Sequence, residues 1–366
     1  MSEHSSADPA VLLMGGGLAG GGAEGRLARL AEHLFDGRAD VAVLHEGGRL
    51  GERYRGTIFH LRWKSRWSYL RNAMRLRRLI QTAHYDVVVA FGLFPIAVAS
   101  MALVGMTNRP KLVINEITRP RAQLENAHGV RRLIYIAIIK YLYARADRIT
   151  ANSIDGLREI CTIMGRRTEC GVRLPNLIDT DRIRMLAAQR PTVPVRHVRY
   201  MVWVGRLDEM KRVDTIVEAY ARSGCAGECG LVIVGAGETR ERLERLVHKR
   251  GLQHSVTFVG ALENPLPIVS AAVALVLASE YEGFSNAVLE AMFCDVPVIT
   301  SYCSSDAMEM CERGAALGFE VGDIDGLAEN MLRVLRQPDV GLQLTQRARL
   351  YRAPHELVQA RPYYEA

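Results

Sequence analysis

Ala278–Thr300 reads ASEYEGFSNAVLEAMFCDVPVIT, and the rest of the chain is understood from it. An apolar run, Val273–Leu277, leads into it as a strand, and Pro297 marks the start of another. Between them a loop carrying Glu282, Gly283 and Phe284 passes into a helix from Ser285, whose hydroxyl is suited to cap an unpaired backbone N–H. At about 100° per residue Asn286 and Glu290 share one face of that helix, whereas Val288, Ala291 and Met292 gather on the other. The apolar face can pack on a sheet while the polar pair looks into a cleft. A helix N-terminus attracts an anion such as phosphate, and a carboxylate one turn deeper suits hydroxyl groups.

The same strand–loop–helix unit recurs on both sides. Downstream of residue 195, strand-like runs fall at Tyr200–Val204, Leu231–Val234, Val256–Val259, Val273–Leu277 and Pro297–Thr300, with helical patterns at Val213–Arg222, Thr239–Arg250 and Asn286–Phe293. Upstream they fall at Val11–Met14, Val41–His45, Thr57–Leu61, Val87–Phe91, Lys111–Asn115 and Arg148–Ala151, with helices at Leu70–Thr82 and Arg131–Ala144. The alternation breaks at LPNLIDTDR, Leu174–Arg182, and again at Arg190–Pro194. The fold expected is therefore α/β, with two facing Rossmann-like domains at residues 1–190 and 195–341. Residues 342–366 form a tail expected to pack back on the first domain. Ligands of such sheets bind beyond the carboxyl ends of the strands, so the loops after Met14, Val204, Val234 and Leu277 should converge on an interdomain cleft.

Composition narrows the partners. With 366 residues, 49% of them hydrophobic, the chain can bury two cores, and its net charge of +7 points to anionic partners without choosing among them. The apolar run after the polar N-terminus stops at Met14, too short for a signal peptide core, so a cytoplasmic location is expected. Leu133–Tyr143 is interrupted by Lys140 and is too short to span a bilayer. The seven cysteines carry no paired CxxC spacing and read as reduced structural thiols.

Two further clusters bear chemistry. After Tyr200–Val204 comes GRLDEMKR, which places Gly205, Arg206 and Lys211 in a strand-to-helix loop. A guanidinium fork and a compact ammonium there suit a diphosphate, although a solvated cation pair would read the same on charge alone. The turn VGAGE at 234–238 contains Gly235 and Gly237, which either bring backbone close to a ligand or tighten a strand-to-helix connection. Gly15, Gly17 and Gly20 satisfy GxGxxG, a weak match where six of eight consecutive residues are glycine.

Taken together, Gly205-Arg206 with Lys211, the VGAGE turn, and Glu282-Gly283-Phe284 with Glu290 resemble glycosyltransferase family 4. GGAE at Gly21–Glu24, TANS at Thr150–Ser153 and LPNLID at Leu174–Asp179 extend the resemblance over nearly the whole chain. It implies the GT-B fold, a nucleotide-sugar donor and retention at the anomeric carbon. It also implies that Glu290 holds the donor ribose, and that Arg206 and Lys211 hold its phosphates. Glu282, Phe284, Ser285 and Asn286 would then hold the sugar and nearest phosphate, with Gly21 and Gly22 approaching the diphosphate. Many members place a histidine after the strand corresponding to Lys111–Asn115, where this chain reads Asn115-Glu116. Glu116 either replaces that histidine at the sugar or acceptor, or is a polar residue at a strand end. The implied acceptor is a lipid-linked or polysaccharide glycan, with no nucleic acid partner and no metal or other cofactor.

Asp179-Thr180-Asp181 and Asp323-Ile324-Asp325 match DxD metal signatures, but read better as turn and helix-cap residues. Arg62–Arg78 holds seven cations and no acid, with Trp63, Trp67, Leu70 and Met74 at helical spacing. That run is either an interfacial helix for an anionic membrane at the inner face, or a core stripe with solvated arginines. The rivals to glycosyl transfer are a nucleotide-sugar epimerase of the same architecture, an oxidoreductase using Gly15, Gly17 and Gly20 with Glu46 on a dinucleotide ribose, and a non-catalytic nucleotide-sugar-binding protein.

Overall fold

Every strand pairing among the described residues is parallel, in one sheet of seven strands and one of six. The computed structural model describes residues 9–18, 27–28, 30–34, 39–45, 54–62, 68–117, 120–125, 127–167, 171–174, 176, 178–352 and 355. The chain divides into two units, one of Met1–Leu177 with Leu357–Ala366 and one of Ile178–Glu356.

In the first unit the elements run β1 (Val11–Gly15), β2 (Asp40–Val43), β3 (Ile58–His60), α1 (Ser68–Ala83), β4 (Val87–Phe91), α2 (Leu93–Leu103), β5 (Lys111–Glu116), α3 (Pro120–Glu125), α4 (Gly129–Ala137), β6 (Arg148–Ala151), α5 (Ile154–Met164) and β7 (Gly171–Arg173). The strand order is β3-β2-β1-β4-β5-β6-β7, so the chain reverses direction across the sheet between β1 and β4. Both of those strands are buried along their full length, as helices on both faces of a parallel sheet require. Leu12, Met14, Val88 and Ala90 enter one apolar cluster, and Val11, Leu13, Val87 and Val89 enter the cluster on the other face. Helix α2, LFPIAVASMAL, is apolar all round and buried on nearly every side. For that reason no amphipathic period betrays it in the sequence.

The second unit starts with α6 (Thr180–Ala187) and continues β8 (Tyr200–Val204), α7 (Val213–Ser223), β9 (Gly230–Val234), α8 (Arg240–Lys249), β10 (Val256–Gly260), α9 (Leu266–Ser270), β11 (Ala274–Leu277), α10 (Asn286–Phe293), β12 (Val298–Ser301), α11 (Ser305–Glu312), β13 (Leu317–Phe319), α12 (Ile324–Arg336) and α13 (Pro338–Arg352). Its order is β10-β9-β8-β11-β12-β13, with the reversal between β8 and β11. Met201 and Trp203 face one core, and Tyr200 and Val202 face the other.

Two boundaries differ from the sequence reading. The units divide at residues 177/178 and not in Arg190–Pro194, because Ile178 and Ile183 are buried among second-unit residues and α6 packs on α9 and α10. The described part of the tail also belongs to the second unit. Leu344, Ala348 and Tyr351 of α13 are buried there, Arg349 forks onto Asp295 at 3.0 and 2.8 Å, and Arg352 stacks 4.8 Å over the Phe293 ring. No helix among the described residues is long and apolar enough to cross a membrane.

Candidate active site

The carboxyl ends of β8 and β11 are adjacent because those two strands pair, and this brings two distant stretches of sequence together. The backbone N–H of Glu280 donates to the Met210 carbonyl at 2.9 Å, and Arg212 reaches Glu280 at 3.1 Å, so the loop after β11 is pinned to the loop after β8. Across that junction Lys211 Nζ meets Glu282 Oε1 at 2.5 Å, with both side chains about 15% exposed. The Ser279 hydroxyl donates to the same carboxylate oxygen at 3.0 Å, and the Ser301 hydroxyl at the end of β12 donates to the Ser279 carbonyl at 2.8 Å. The carboxylate is thus held by an ammonium and a hydroxyl, and the hydroxyl's own residue is anchored to the next strand.

Arg206 lies on the same loop but is 80% exposed, and meets Asp208 at 3.4 Å. Asp208 also accepts from the Lys211 N–H at 3.2 Å and so shapes the turn that presents Lys211. The glycines let the two loops pack closely. A β-carbon at Gly235 would overlap the Gly205 carbonyl, one at Gly237 would overlap the Leu207 carbonyl, and one at Gly205 would press on the Trp203 ring at 3.1 Å. The loops 205–207 and 235–239 are zipped together by Leu207 N–H to Ala236 O at 2.9 Å and Thr239 N–H to Leu207 O at 3.1 Å. Tight packing of the connection is thus enough to require glycine at both Gly235 and Gly237.

Helix α10 begins after Ser285, although the Ser285 side chain makes no capping hydrogen bond, contrary to the expectation from its residue type. Asn286 and Glu290 are half-buried on one face, and Val288, Ala291 and Met292 are buried on the other. Beneath the helix start lies a cavity of about 20 Å³, lined in part by Glu282, Phe284, Ser285, Cys303, Ser304 and Asp306, with room for about one water. Burial, with the nearby Glu282 charge, pushes the Cys303 thiol up to about 11, so it stays protonated at neutral pH. Phe284 is backed by the imidazole of His355 at 4.9 Å, and His355 by Tyr351 at 5.9 Å.

In the first unit Asn115 and Glu116 are buried at the end of β5. Asn115 is fully buried and donates to the Thr150 hydroxyl at 2.7 Å. Glu116 is 1% exposed, with one oxygen accepting from the Tyr143 hydroxyl at 2.9 Å and the other from the Ile117 N–H at 3.1 Å. Burial beside that carboxylate raises the Tyr143 hydroxyl well above its ordinary value, keeping it a donor. Glu116 therefore ties the end of β5 to the Tyr143 turn. Gly20, Gly21 and Gly22, Glu46, Trp63, Trp67 and Cys170 lie outside the described residues. Asp179 and Asp323 accept from the N–H groups of Arg182 and Gly326, each at 3.0 Å, and cap α6 and α12. Among the described residues no group of three His, Cys, Asp or Glu is arranged to hold a metal ion.

Comparison with known proteins places this geometry. Residues 20–182 match the family model Glycosyltransferase Family 4, and residues 190–351 match Glycosyl transferases group 1. The fold is that of the GT-B glycosyltransferases, and the two glycosyltransferase models between them match most of the chain. Among solved structures, Anabaena HepE in complex with UDP and glucose aligns with a TM-score of 0.78 over 97% of this chain and 98% of that one, at 19% identity. Among curated relatives, an N-acetylgalactosamine-N,N'-diacetylbacillosaminyl-diphospho-undecaprenol 4-alpha-N-acetylgalactosaminyltransferase of Campylobacter jejuni is 29% identical over 65% of this chain and 63% of its own length. The match thus spans less than two thirds of that relative. The lipopolysaccharide core biosynthesis glycosyltransferase LpsE of Rhizobium meliloti is 24% identical over 70% of this chain and 73% of its own length.

Sequence reasoning missed Ser279, Ser301, Cys303, Ser304, Asp306 and His355. A signal existed for most of them. Residues 301–306 follow a strand of a parallel sheet, and the loop after every such strand opens on the ligand edge. His355 had none, because only the fold brings the end of α13 under Phe284.

Proposed function

We propose that this glycosyltransferase moves a sugar from a nucleotide donor, UDP- or GDP-linked, to a hydroxyl of a lipid-linked or polysaccharide acceptor, with retention at the anomeric carbon. The observation that carries the reading is the Lys211–Glu282 pair beside the start of α10, where a half-buried ammonium and a helix N-terminus offer positive charge next to carboxylates. Lys211 and Arg206 take the diphosphate, Glu290 the ribose hydroxyls, and Glu282 with Phe284, Ser285 and Asn286 the sugar. As the bond from the anomeric carbon to the phosphate oxygen breaks, the acceptor oxygen bonds to that carbon from the same face. The acceptor proton passes to the departing phosphate oxygen. Lys211, Arg206 and the helix supply the charge that balances the leaving diphosphate, so the reading includes no metal ion.

The Campylobacter relative's name, with its diphospho-undecaprenol group, and the lipopolysaccharide role of LpsE favour a lipid-linked acceptor used in cell-surface glycan assembly. A cytoplasmic enzyme working at the inner membrane face, drawn there by Arg62–Arg78, is part of the same reading. The test is nucleotide release over a panel of UDP- and GDP-sugars with lipid-linked acceptors, with the product's anomeric configuration read by NMR. Acceptor-dependent release with a retained anomer is expected. Inversion, interconversion of the donor sugar without transfer, or donor binding without turnover would each contradict it.

A further inference from the structure

Arg212 takes a backbone conformation that arginine rarely adopts. Its φ and ψ are 46° and 44°, in the left-handed region, where a β-carbon crowds the following carbonyl oxygen. Glycine is the usual residue there, followed by asparagine, aspartate and histidine. The position lies between the 3-10 turn Glu209–Lys211 and α7, directly after Lys211. Both flanking turns depend on it: the Arg212 N–H donates to the Glu209 carbonyl at 3.2 Å, and the Arg212 carbonyl accepts from the Thr215 N–H at 3.0 Å. Glycine would make the same reversal without strain, so the arginine side chain must do something that glycine cannot.

That side chain spans two loops. Nη1 of Arg212 meets Glu280 Oε1 at 3.1 Å and Nε meets Asp214 Oδ1 at 3.4 Å. Glu280 stands two residues before Glu282, as Arg212 stands one residue after Lys211. The loops after β8 and β11 are therefore joined at successive rungs: the Met210 carbonyl with the Glu280 N–H, Lys211 with Glu282, and Arg212 with Glu280. The Arg212, Asp214 and Glu280 side chains are 32%, 35% and 47% exposed, and ion pairs so open to water contribute little to stability. Two rungs differ in what a ligand does to them. The Lys211 ammonium rides on a flexible four-carbon stem, so it releases Glu282 when it turns to a phosphate. The Arg212 guanidinium is shared between two carboxylates on the outer side of the junction, and its rung survives that event.

We propose that Arg212 is a positioning residue for glycosyl transfer. It clamps the loop after β11 to the loop after β8 through Glu280, and so keeps Lys211 and Glu282 at a fixed spacing while Lys211 is engaged with the donor diphosphate. The inference rests on the reading of Lys211 and Glu282 as donor-binding residues. Arg212 acts through those two and touches no substrate itself. A group displaced by about 1 Å from the reacting centre can cost about a hundredfold in rate, so a clamp that adds little to stability can still matter for turnover.

The test compares wild type with Arg212→Gly, Glu280→Gln and the two combined, by turnover of the preferred nucleotide sugar, by thermal melting and by hydrogen exchange at the Glu280 amide. Arg212→Gly should melt within about 3 °C of wild type, because relief of backbone strain offsets the lost ion pairs. Its kcat should nonetheless fall about tenfold, with a similar fall for Glu280→Gln and no further fall in the combined variant. The Glu280 amide should exchange about tenfold faster in Arg212→Gly than in wild type. The proposal is overturned if folded Arg212→Gly turns over as fast as wild type, or if the two losses multiply, which would make Arg212 a direct ligand of the donor. Melting about 10 °C or more below wild type would give the arginine to folding alone and also overturn it. Failure of the transfer reading looks different, since wild type itself then turns over no nucleotide sugar. The amide then decides, and unchanged exchange in Arg212→Gly overturns the clamp.

Discussion

Lys211 and Glu282 are 15% and 14% exposed, a burial at which removing one partner leaves the other charge poorly solvated. Lys211→Met should therefore cost about 1–3 kcal/mol of stability in urea unfolding, below the cost of breaking a fully buried pair. Lys211→Met with Glu282→Gln should recover most of that loss, whereas turnover should stay down by about a hundredfold or more in both, because the charge facing the leaving group is gone. Recovery of turnover by the double variant would assign the pair to folding alone. Gly235 sits at φ 149° with the Gly205 carbonyl where its β-carbon would be. Gly235→Ala should cost about 2 kcal/mol or more, read from the urea midpoint. Lys211 and Glu282 could be placed beyond strand ends from the sequence, but their pairing could not, since it depends on β8 lying beside β11. The burial of Glu116 was equally hidden, since it depends on Tyr143, a residue 27 positions away.

At the level of elements, the start of β5 is tied to the turn before β6 by one carboxylate. Asp147 accepts a two-pronged bond from Arg109 at 2.6 and 2.8 Å, and the Leu112 N–H at 2.7 Å. The Arg109 bonds are the largest cause holding Asp147 below its ordinary value of 3.8. A carboxylate lowered in the fold contributes stability that is fully present above 3.8 and is lost as pH falls through the lowered value. Both side chains are about 35% exposed, so the contribution is screened, and Asp147→Asn should cost about 0.5–1.5 kcal/mol at pH 7. Urea midpoints of wild type and variant should converge as pH drops below 3.8, and a gap that stays constant would refute the assignment. Elements with a clear period, such as Val213–Ser223, could be read directly. Helix α2 could not, being apolar all round, and β7 and β13 are three-residue edge strands too short to show any alternation. The unit boundary was displaced because α6 looks like the end of one domain in sequence, yet buries Ile183 in the other.

For the molecule as a whole, the alternation of strands and helices was enough to give two parallel α/β units, and the residues at the strand ends were enough to suggest the family. What remained illegible was which polar residues face a ligand and which face one another, a distinction set by strand order. The central claim is that the edge formed by β8, β11 and α10 binds a nucleotide sugar, with Glu290 on its ribose. A carboxylate accepting ribose hydroxyls contributes about 1.5–3 kcal/mol, or about 10- to 150-fold in donor affinity. The most direct measurement is titration calorimetry of the preferred UDP- or GDP-sugar against wild type and Glu290→Ala. The account predicts a donor Kd weakened by about tenfold or more in a variant that melts like wild type. An unchanged Kd in that folded variant would contradict it.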